Sequence, residues 1–217
     1  GTTKRPLKVA IIGSGPSGLY AAEALIKSEI HFQVTIFEKL PHPYGLVKYG
    51  VAPDHIKMRQ LTTYFSKVFE HPSVTLQCNT EIGKDISIET LKNTFDDLIF
   101  CYGCENDYRL DIPGNTLNNI YTGREFVGWY NNHPKHQNYD IKFDMEEVAI
   151  IGLGNVALDI ARILAKPPEL LEETEISRKT LSQLYDSKIK TIHLIGRRSI
   201  TQAAFTPNEF QELQSIP

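Results

Sequence analysis

Cysteine is scarce in this chain, with three among 217 residues. So few thiols argue against a disulfide scaffold and fit a protein that works in a reducing compartment. No run of apolar residues approaches the length of a membrane span, which leaves at most a peripheral association with a membrane. An excess of positive charge is also missing, because the formal net charge is −3. A broad basic surface for nucleic acid is therefore not expected.

The first residues do not have the pattern of a signal peptide or a transit peptide. Of the 217 residues, 41% are hydrophobic, which is enough for one large domain or two small ones. Function therefore has to be inferred from internal motifs.

The stretch Lys8–Glu38 has the order of a dinucleotide-binding unit: apolar run, glycine-rich turn, helical segment, second apolar run and acid. Gly13 permits a tight turn, Gly15 leaves room for a pyrophosphate, and Gly18 lets helix and strand pack closely. The pyrophosphate would then lie at the N-terminus of the helix. Glu38 follows the second apolar run, where a carboxylate accepts hydrogen bonds from the hydroxyls of an adenosine ribose.

The same pattern returns in the second half of the chain. After an apolar run, the second turn consists of Gly152, Leu153, Gly154, Asn155, Val156 and Ala157. The next strand-like run ends in Arg197 and Arg198, where the first unit has Glu38. Paired guanidinium donors match the geometry of a ribose 2′-phosphate, which a carboxylate would repel. The second turn therefore favours NADP, and the first favours a dinucleotide without that phosphate.

Further strand-like and helical segments alternate up to residue 103, which predicts three or four parallel strands in one sheet. The composition changes around residues 105–120, where a Pro113-Gly114 turn stands in an irregular connector. We therefore expect an α/β chain with two Rossmann-like units. Residues 1–105 would form the first part of an FAD-binding domain and residues 106–217 the first part of an NADP-binding domain. Because the second unit shows no third strand, that unit is expected to be incomplete and the chain to be part of a longer protein.

Two local patterns predict helices that bear on the sites. Apolar residues recur at helical spacing over Ile56–Glu70, which predicts one amphipathic helix. Thr206, Pro207 and Glu209 have the order of a capping box at a helix start. Glu209 would then serve the helix rather than a ligand.

Four runs of sequence resemble the adrenodoxin reductases, the NADPH–ferredoxin reductases of the glutathione-reductase-like superfamily. The runs are VAIIGSGPSGLYAAEAL, EKLPHPYGLVKYGVAPDH, AIIGLGNVALDIARIL and LIGRRSITQAAFTPNEF. The resemblance implies a protein about twice as long in which NADPH reduces FAD, and FAD passes single electrons to an acidic 2Fe–2S ferredoxin. It also implies a location on the matrix side of the inner mitochondrial membrane for a eukaryotic protein, and in the cytoplasm for a bacterial one.

The resemblance also assigns individual residues. Ser17 would contact the FAD diphosphate, Glu38 the FAD ribose, Leu46 the FAD through its backbone, and Ile82 the adenine. The residues around the NADP diphosphate would be Leu153, Gly154, Asn155 and Val156. Arg197 and Arg198 would hold the 2′-phosphate, and Glu209 would contact the nicotinamide side of NADP, a role that competes with its role in the capping box.

His55 and Asp159 are candidates for positioning or for a proton relay near the flavin, and a structural hydrogen bond is the alternative for each. Cys101 and Cys104 have the CxxC spacing of redox dithiols, and an NADPH-dependent disulfide reductase would use them. Small packing residues are the favoured interpretation of this pair. A non-catalytic binding protein with a dinucleotide fold is the remaining alternative, which the intact glycines, Glu38 and the arginine pair disfavour.

Overall fold

The computed structural model of the chain describes residues 5–104, 107–199 and 202–216. The chain divides into two compact units: Gly1–Val51 with Lys57–Asn106, and Ala52–Ile56 with Asp107–Pro217. The boundary expected between residues 105 and 106 lies outside the described residues. The short segment Ala52–Ile56 belongs to the second unit, although the expected division had placed it in the first.

The first unit is built around a parallel sheet. Its strands are β1 (Leu7–Ile12), β2 (Phe32–Phe37), β3 (Val74–Gln77) and β4 (Asp97–Phe100). The strand order is β3-β2-β1-β4, and Val9 on β1 lies in register with Val34 on β2 and Asp97 on β4. The prediction of an α/β fold with a parallel sheet is confirmed.

The helices of this region connect and cover the strands. They are α1 (Pro16–Ile26), α2 (Leu46–Tyr49), α3 (Ile56–Arg59), α4 (Leu61–Phe69) and α5 (Ile88–Thr94). The single helix expected over Ile56–Glu70 is thus divided at Gln60. The buried Arg59 side chain lies at this division and donates a hydrogen bond from Nη2 to the carbonyl oxygen of Val51 at 2.9 Å. Ser87 accepts a hydrogen bond from the Thr90 N–H and caps α5.

Strand β1 lies at the centre of the hydrophobic core because both of its faces are covered. Val9 and Ile11 pack on one side in a cluster with Leu19 of α1, while Ala10 and Ile12 pack on the other side with Leu91 of α5. A strand buried on both faces needs a continuous apolar run rather than an alternating one. The run of residues 9–12 meets this need and fixes β1 directly before the glycine-rich turn.

The second unit carries two parallel strands and an aromatic core. Its elements are α6 (Gly123–Tyr130), β5 (Glu147–Ile151), α7 (Asn155–Ala165), a 3₁₀ turn (Pro168–Leu171), α8 (Arg178–Tyr185), β6 (Thr191–Ile195) and α9 (Pro207–Gln214). Strands β5 and β6 pair with each other. In the core, the Trp129 ring centroid lies 5.0 Å from that of Phe126 and 5.7 Å from that of Phe143. None of the helices within the described ranges combines the length and the apolar character that crossing a bilayer requires.

The capping box expected at the start of α9 forms only in part. Thr206 Oγ1 accepts a hydrogen bond from the Glu209 N–H at 3.4 Å. The Thr206 N–H, however, donates to Asn155 Oδ1 at 2.9 Å rather than to the Glu209 carboxylate. A complete capping box is present instead at the start of α6, between Thr122 and Glu125. The Glu209 side chain is therefore released from the helix cap and is available for other contacts.

The burial of β1 predicts a large cost for shortening its side chains. Ile11 is completely buried, whereas Ile30 is 56% exposed. We expect Ile11→Ala to lower the free energy of unfolding of the full-length protein by about 2–5 kcal/mol, because it removes buried carbons and leaves a cavity. The same change at Ile30 should stay within about 0.5 kcal/mol. Urea denaturation of the two variants measures the difference, and equal losses would contradict this account of the core.

Candidate functional site

The first glycine-rich turn is tied to the end of β2. The Gly13 N–H donates to the carbonyl oxygen of Phe37 at 2.8 Å, which brings the next residue, Glu38, beside the turn. Glu38 Oε2 accepts hydrogen bonds from the Ser14 N–H at 3.1 Å and from Ser14 Oγ at 2.6 Å, and Oε1 accepts one from the Leu40 N–H at 3.0 Å. A carboxylate has about four lone-pair positions, so this buried group retains capacity for a hydroxyl.

The three glycines of this turn have different surroundings. A Cβ at Gly18 would lie 2.1 Å from the Gly13 carbonyl oxygen, and one at Gly13 would lie 2.4 Å from the Cys101 carbonyl oxygen. Gly13 also has a φ of +107°, a conformation that favours glycine. A Cβ at Gly15 would meet nothing nearer than the Gly45 Cα, at 3.8 Å. Gly13 and Gly18 are therefore needed for packing, while the lack of a side chain at Gly15 keeps space open at the turn.

Helix α1 starts at this open space without a side-chain cap. Gly15 is its N-cap residue and Pro16 its first residue. The first N–H groups of a helix have no partner within the helix, and they favour an anion together with the helix dipole. Ser17 is exposed in this first turn. The open space at Gly15 and the first N–H groups of α1, which together we call the cradle, therefore fit the diphosphate of a dinucleotide such as FAD.

Two further predicted residues of the first unit are connected to this turn through their neighbours in the chain. Leu46 is 63% exposed and begins α2, directly after Gly45, which approaches Gly15. Ile82 is half-buried and packs against the cluster on the second face of β1. The Thr80 N–H donates to the Glu38 carbonyl oxygen at 2.9 Å, and this bond leads the chain from the acid towards Ile82. Both positions are compatible with contacts to FAD.

The second glycine-rich turn repeats this construction. The Gly152 N–H donates to the carbonyl oxygen of Ile195 at 2.9 Å. Gly152 has a φ of +136°, and a Cβ at Gly154 would have no other atom within 4 Å. Gly154 is the N-cap residue of α7 and provides no side-chain cap. Asn155 turns its side chain to the Thr206 N–H, and Val156 is 52% exposed. The start of α7 therefore fits a second diphosphate.

The arginine pair follows the end of β6, which is hydrogen-bonded to this second turn. A Cβ at Gly196 would come within 2.2 Å of Leu153 Cδ1, so the residue before Arg197 packs directly on the turn. Arg197 and Arg198 are both exposed. Within the described residues, neither arginine forms an ion pair with an acid. Their charges are therefore available to a ribose 2′-phosphate beside the second turn.

His55, Asp159 and Glu209 come together in the second unit, although they are far apart in the sequence. His55 Nε2 lies 3.7 Å from Asp159 Oδ1 and 3.7 Å from Glu209 Oε2. A third acid, Glu212, lies closer, with Oε2 at 2.7 Å from His55 Nε2. The His55 side chain is only 12% exposed, which makes these contacts effective. We refer to His55, Asp159, Glu209 and Glu212 as the histidine–acid cluster.

Burial raises the pKa of two of these acids. It raises the pKa of the Asp159 carboxyl, against the opposing effects of Arg162 and His55. Burial also raises the pKa of the Glu209 carboxyl, and the neighbouring charge of Asp159 adds to this effect. Glu209 Oε2 is buried and, within the described residues, accepts no hydrogen bond. The cluster therefore favours retention of a proton on its acids, as a proton relay requires.

Cys101 and Cys104 lie after β4 in the first unit. Cys101 is half-buried and packs at the edge of the main core cluster, whereas Cys104 is exposed. Burial raises the pKa of the Cys101 thiol. A raised pKa reduces the thiolate fraction, and the thiolate is the reactive form in dithiol chemistry. These observations favour a packing role for Cys101.

Sequence reasoning missed several residues of these sites. They are Ser14, Asp54, Arg162, Lys166 and Glu212. Ser14 stood inside the recognised turn, but the pattern assigns roles to its glycines only. The signals for Arg162 and Glu212 were the helical spacings to Asp159 and Glu209, each three residues away. Asp54 accepts hydrogen bonds from Arg162 and Lys166, which are more than 100 residues away, and a local pattern does not reveal such contacts.

Comparisons with known proteins agree with this arrangement. A family model described as pyridine nucleotide-disulphide oxidoreductase matches residues 7–193. The mitochondrial NADPH:adrenodoxin oxidoreductase of Arabidopsis thaliana is 42% identical over 99% of this chain and 44% of its own length. The Homo sapiens protein of the same name is 38% identical over 100% of this chain and 44% of its own length. The solved structure of Mycobacterium tuberculosis FprA in complex with NADPH has a TM-score of 0.95 and 38% identity, covering 98% of this chain and 48% of that one. The resemblance to adrenodoxin reductases is confirmed, and the chain spans less than half the length of these relatives.

The surroundings of the glycines predict two different defects. We expect Gly18→Ala to destabilise the full-length protein by roughly 1–3 kcal/mol, because the new methyl group overlaps the Gly13 carbonyl oxygen. Gly15→Ala should leave the thermal midpoint without cofactor unchanged but weaken FAD binding, because the methyl group occupies the open space. Thermal unfolding of the apoprotein and titration with FAD separate the two effects. Unchanged FAD affinity in Gly15→Ala would contradict the assignment of the cradle.

The raised pKa of Glu209 predicts a pH dependence of stability. Above the unfolded pKa of about 4.3, the unfolded chain has lost the Glu209 proton while the folded chain still holds it. Stability due to this group therefore falls as the pH rises from that value through the folded pKa. Glu209→Gln should remove this loss, so the variant should be more stable than the parent at pH 7, with the difference vanishing near pH 4. Urea denaturation across this range measures it, and a variant that is less stable at pH 7 would refute the prediction.

Proposed function

The chain belongs to the pyridine nucleotide-disulphide oxidoreductase family, and on that basis we propose that the full-length protein is an NADPH–ferredoxin reductase of the adrenodoxin reductase type. The observation that carries the proposal is the pair of turns with opposite charges beside them. Glu38 lies beside the first turn, and Arg197 with Arg198 follows the second. An acid suits the unphosphorylated ribose of FAD, and the arginines suit the phosphorylated ribose of NADPH.

Each cofactor has a defined set of residues in this proposal. FAD would be held by Gly13, Gly15, Ser17, Gly18, Glu38, Leu46 and Ile82. NADPH would be held by Gly152, Leu153, Gly154, Asn155, Val156, Arg197, Arg198 and Glu209. Bound FAD supplies an acceptor for the hydride of NADPH and a donor of single electrons. The protein has to bind and orient the two dinucleotides and exclude water from between them.

The histidine–acid cluster would serve the nicotinamide side of this reaction. Glu209 belongs both to the cluster and to the residues proposed to contact NADPH, so His55 and Asp159 would lie close to the nicotinamide end. They would position it or move a proton, because burial raises the pKa of Asp159 and of Glu209 and so shifts each towards its protonated form. No nucleophile is needed for a hydride transfer.

The proposed partner is an acidic 2Fe–2S ferredoxin of the adrenodoxin type, supported by the names of the relatives, which are NADPH:adrenodoxin oxidoreductases. Those relatives are also named as mitochondrial, which supports a mitochondrial location for a eukaryotic protein. We propose the matrix side of the inner membrane in that case and the cytoplasm for a bacterial protein.

An absorbance spectrum of the full-length protein tests the proposal directly. We expect a flavin spectrum that is bleached by anaerobic addition of NADPH and much less by NADH. Reduced flavin should then be reoxidised by a 2Fe–2S ferredoxin. A colourless protein that cannot be reconstituted with FAD would exclude the reductase, and equal bleaching by both nucleotides would refute the role of the arginine pair.

The 2′-phosphate assignment predicts a selective defect in arginine variants. Arg197→Ala and Arg198→Ala should each raise KM for NADPH about 10- to 100-fold, because a hydrogen bond to a charged group contributes roughly 1.5–3 kcal/mol. The KM for NADH should change little. Arg178→Ala is the matched control, since Arg178 is an exposed arginine of the same unit on α8. Equal changes in the KM for both nucleotides would contradict the assignment.

A further inference from the structure

The Arg162 guanidinium is almost completely buried and donates two hydrogen bonds to a single carboxylate. We refer to this pair of bonds as the fork. The Arg162 side chain is 2% exposed. Nε donates to Asp54 Oδ2 at 2.9 Å, and Nη2 donates to Asp54 Oδ1 at 3.0 Å. Lys166 Nζ adds a third contact to Asp54 Oδ2 at 2.6 Å. Although burial alone would raise the pKa of Asp54, these cations hold it well below its usual range. Asp54 is therefore ionised in the folded protein.

The remaining end of the guanidinium faces the histidine–acid cluster. Arg162 Nη1 lies 2.8 Å from Asp159 Oδ1, 3.5 Å from Glu212 Oε2 and 3.8 Å from Glu209 Oε2. These are the same three carboxylates that surround His55 Nε2. Arg162 thus reaches the cluster twice: directly through Nη1, and indirectly through Asp54, the residue before His55.

Charge compensation alone does not explain this arrangement. Lys166 already supplies a cation to Asp54, at a shorter distance than either arginine bond. A guanidinium differs from an ammonium because its donors lie in one plane at fixed angles, so two bonds to one carboxylate fix orientation as well as position. Residues 52–55 belong to none of the helices and strands that the structure describes, and the His55 N–H donates to the Ala52 carbonyl oxygen at 3.1 Å. The fork is the contact that fixes the orientation of the Asp54 carboxylate.

We propose that Arg162 and Asp54 are positioning residues that hold the His55 ring against Asp159, Glu209 and Glu212. Arg162 holds the 52–56 segment through the Asp54 carboxylate and attracts the facing Asp159 by charge through Nη1. The distances from His55 to its acids are thereby set by one rigid planar group. This inference rests on the proposed function for its effect on turnover, but its structural part does not depend on that function.

Arg162→Lys tests the proposal because it keeps the positive charge and removes the planar fork. In the full-length enzyme, with NADPH as the donor and ferricyanide as the acceptor, we expect kcat to fall roughly 10- to 100-fold. The KM for NADPH should stay within about threefold, since Arg162 is not among the residues proposed to hold the 2′-phosphate or diphosphate. Hydrogen exchange of residues 52–56 should become faster. Arg124→Lys is the matched control, because Arg124 pairs with Asp107 at a 39%-exposed position of the same unit and should change neither quantity.

A double-mutant cycle with His55→Gln shows whether Arg162 acts through His55. If it does, the double variant should have the kcat of His55→Gln alone, and the pH profile of kcat should change alike in both single variants. The proposal would be overturned if kcat of the double variant fell by the product of the two single losses. It would also be overturned if hydrogen exchange of residues 52–56 in Arg162→Lys were as slow as in the parent. If Arg162→Lys does not fold, Asp54→Asn takes its place in the cycle, and we expect the same directions of change in kcat and in hydrogen exchange. A parent protein that does not oxidise NADPH would refute the proposed function, while the exchange measurement would still decide the positioning role.

Discussion

In each unit, one backbone hydrogen bond joins the glycine-rich turn to the end of the neighbouring strand. The Gly13 N–H donates to the Phe37 carbonyl oxygen at 2.8 Å, and the Gly152 N–H donates to the Ile195 carbonyl oxygen at 2.9 Å. Both donors are glycines with positive φ, so each turn reverses sharply enough to reach the end of the neighbouring strand. Each bond brings the residues that follow that strand beside the start of a helix. The fold thereby places the chain after β2 and the chain after β6 at corresponding locations in the two units.

The charged residues that follow these strands have opposite signs, Glu38 directly after β2 and Arg197 with Arg198 after Gly196, and their burial differs. Glu38 is buried, and three hydrogen bonds from Ser14 and Leu40 hold its carboxylate in place. A buried carboxylate is tolerated because these donors replace water. Arg197 and Arg198 stay exposed, so they keep their hydration until an anion arrives. A fixed acid suits neutral hydroxyls at a closed site, whereas mobile cations suit a doubly charged phosphate at an open one.

The sequence predicted those features that depend on local patterns. Apolar runs and glycine spacing act over a few residues, and the parallel sheet followed from their order. The capping box at Thr206 was predicted on equally local grounds and forms only in part. Asn155, 51 residues away, takes the Thr206 N–H that Glu209 would have accepted. Such competition between a local motif and a distant partner depends on the folded geometry. The contacts of Asp54 with Arg162 and Lys166, more than 100 residues away, were unpredictable for the same reason.

The charges around His55 do not balance without a proton. Four carboxylates, from Asp54, Asp159, Glu209 and Glu212, face two permanent cations, Arg162 and Lys166. Asp54 is satisfied by both cations, so three acids share His55 and the last nitrogen of Arg162. Buried carboxylates so close together resist ionising simultaneously, which agrees with the raised pKa of both Asp159 and Glu209. A proton held by Asp159 or Glu209 belongs to both groups together, since interacting carboxyls titrate as a pair. The buried arginine therefore offsets part of the negative charge of the cluster, and the acids in turn keep that arginine from being an unpaired cation in the core.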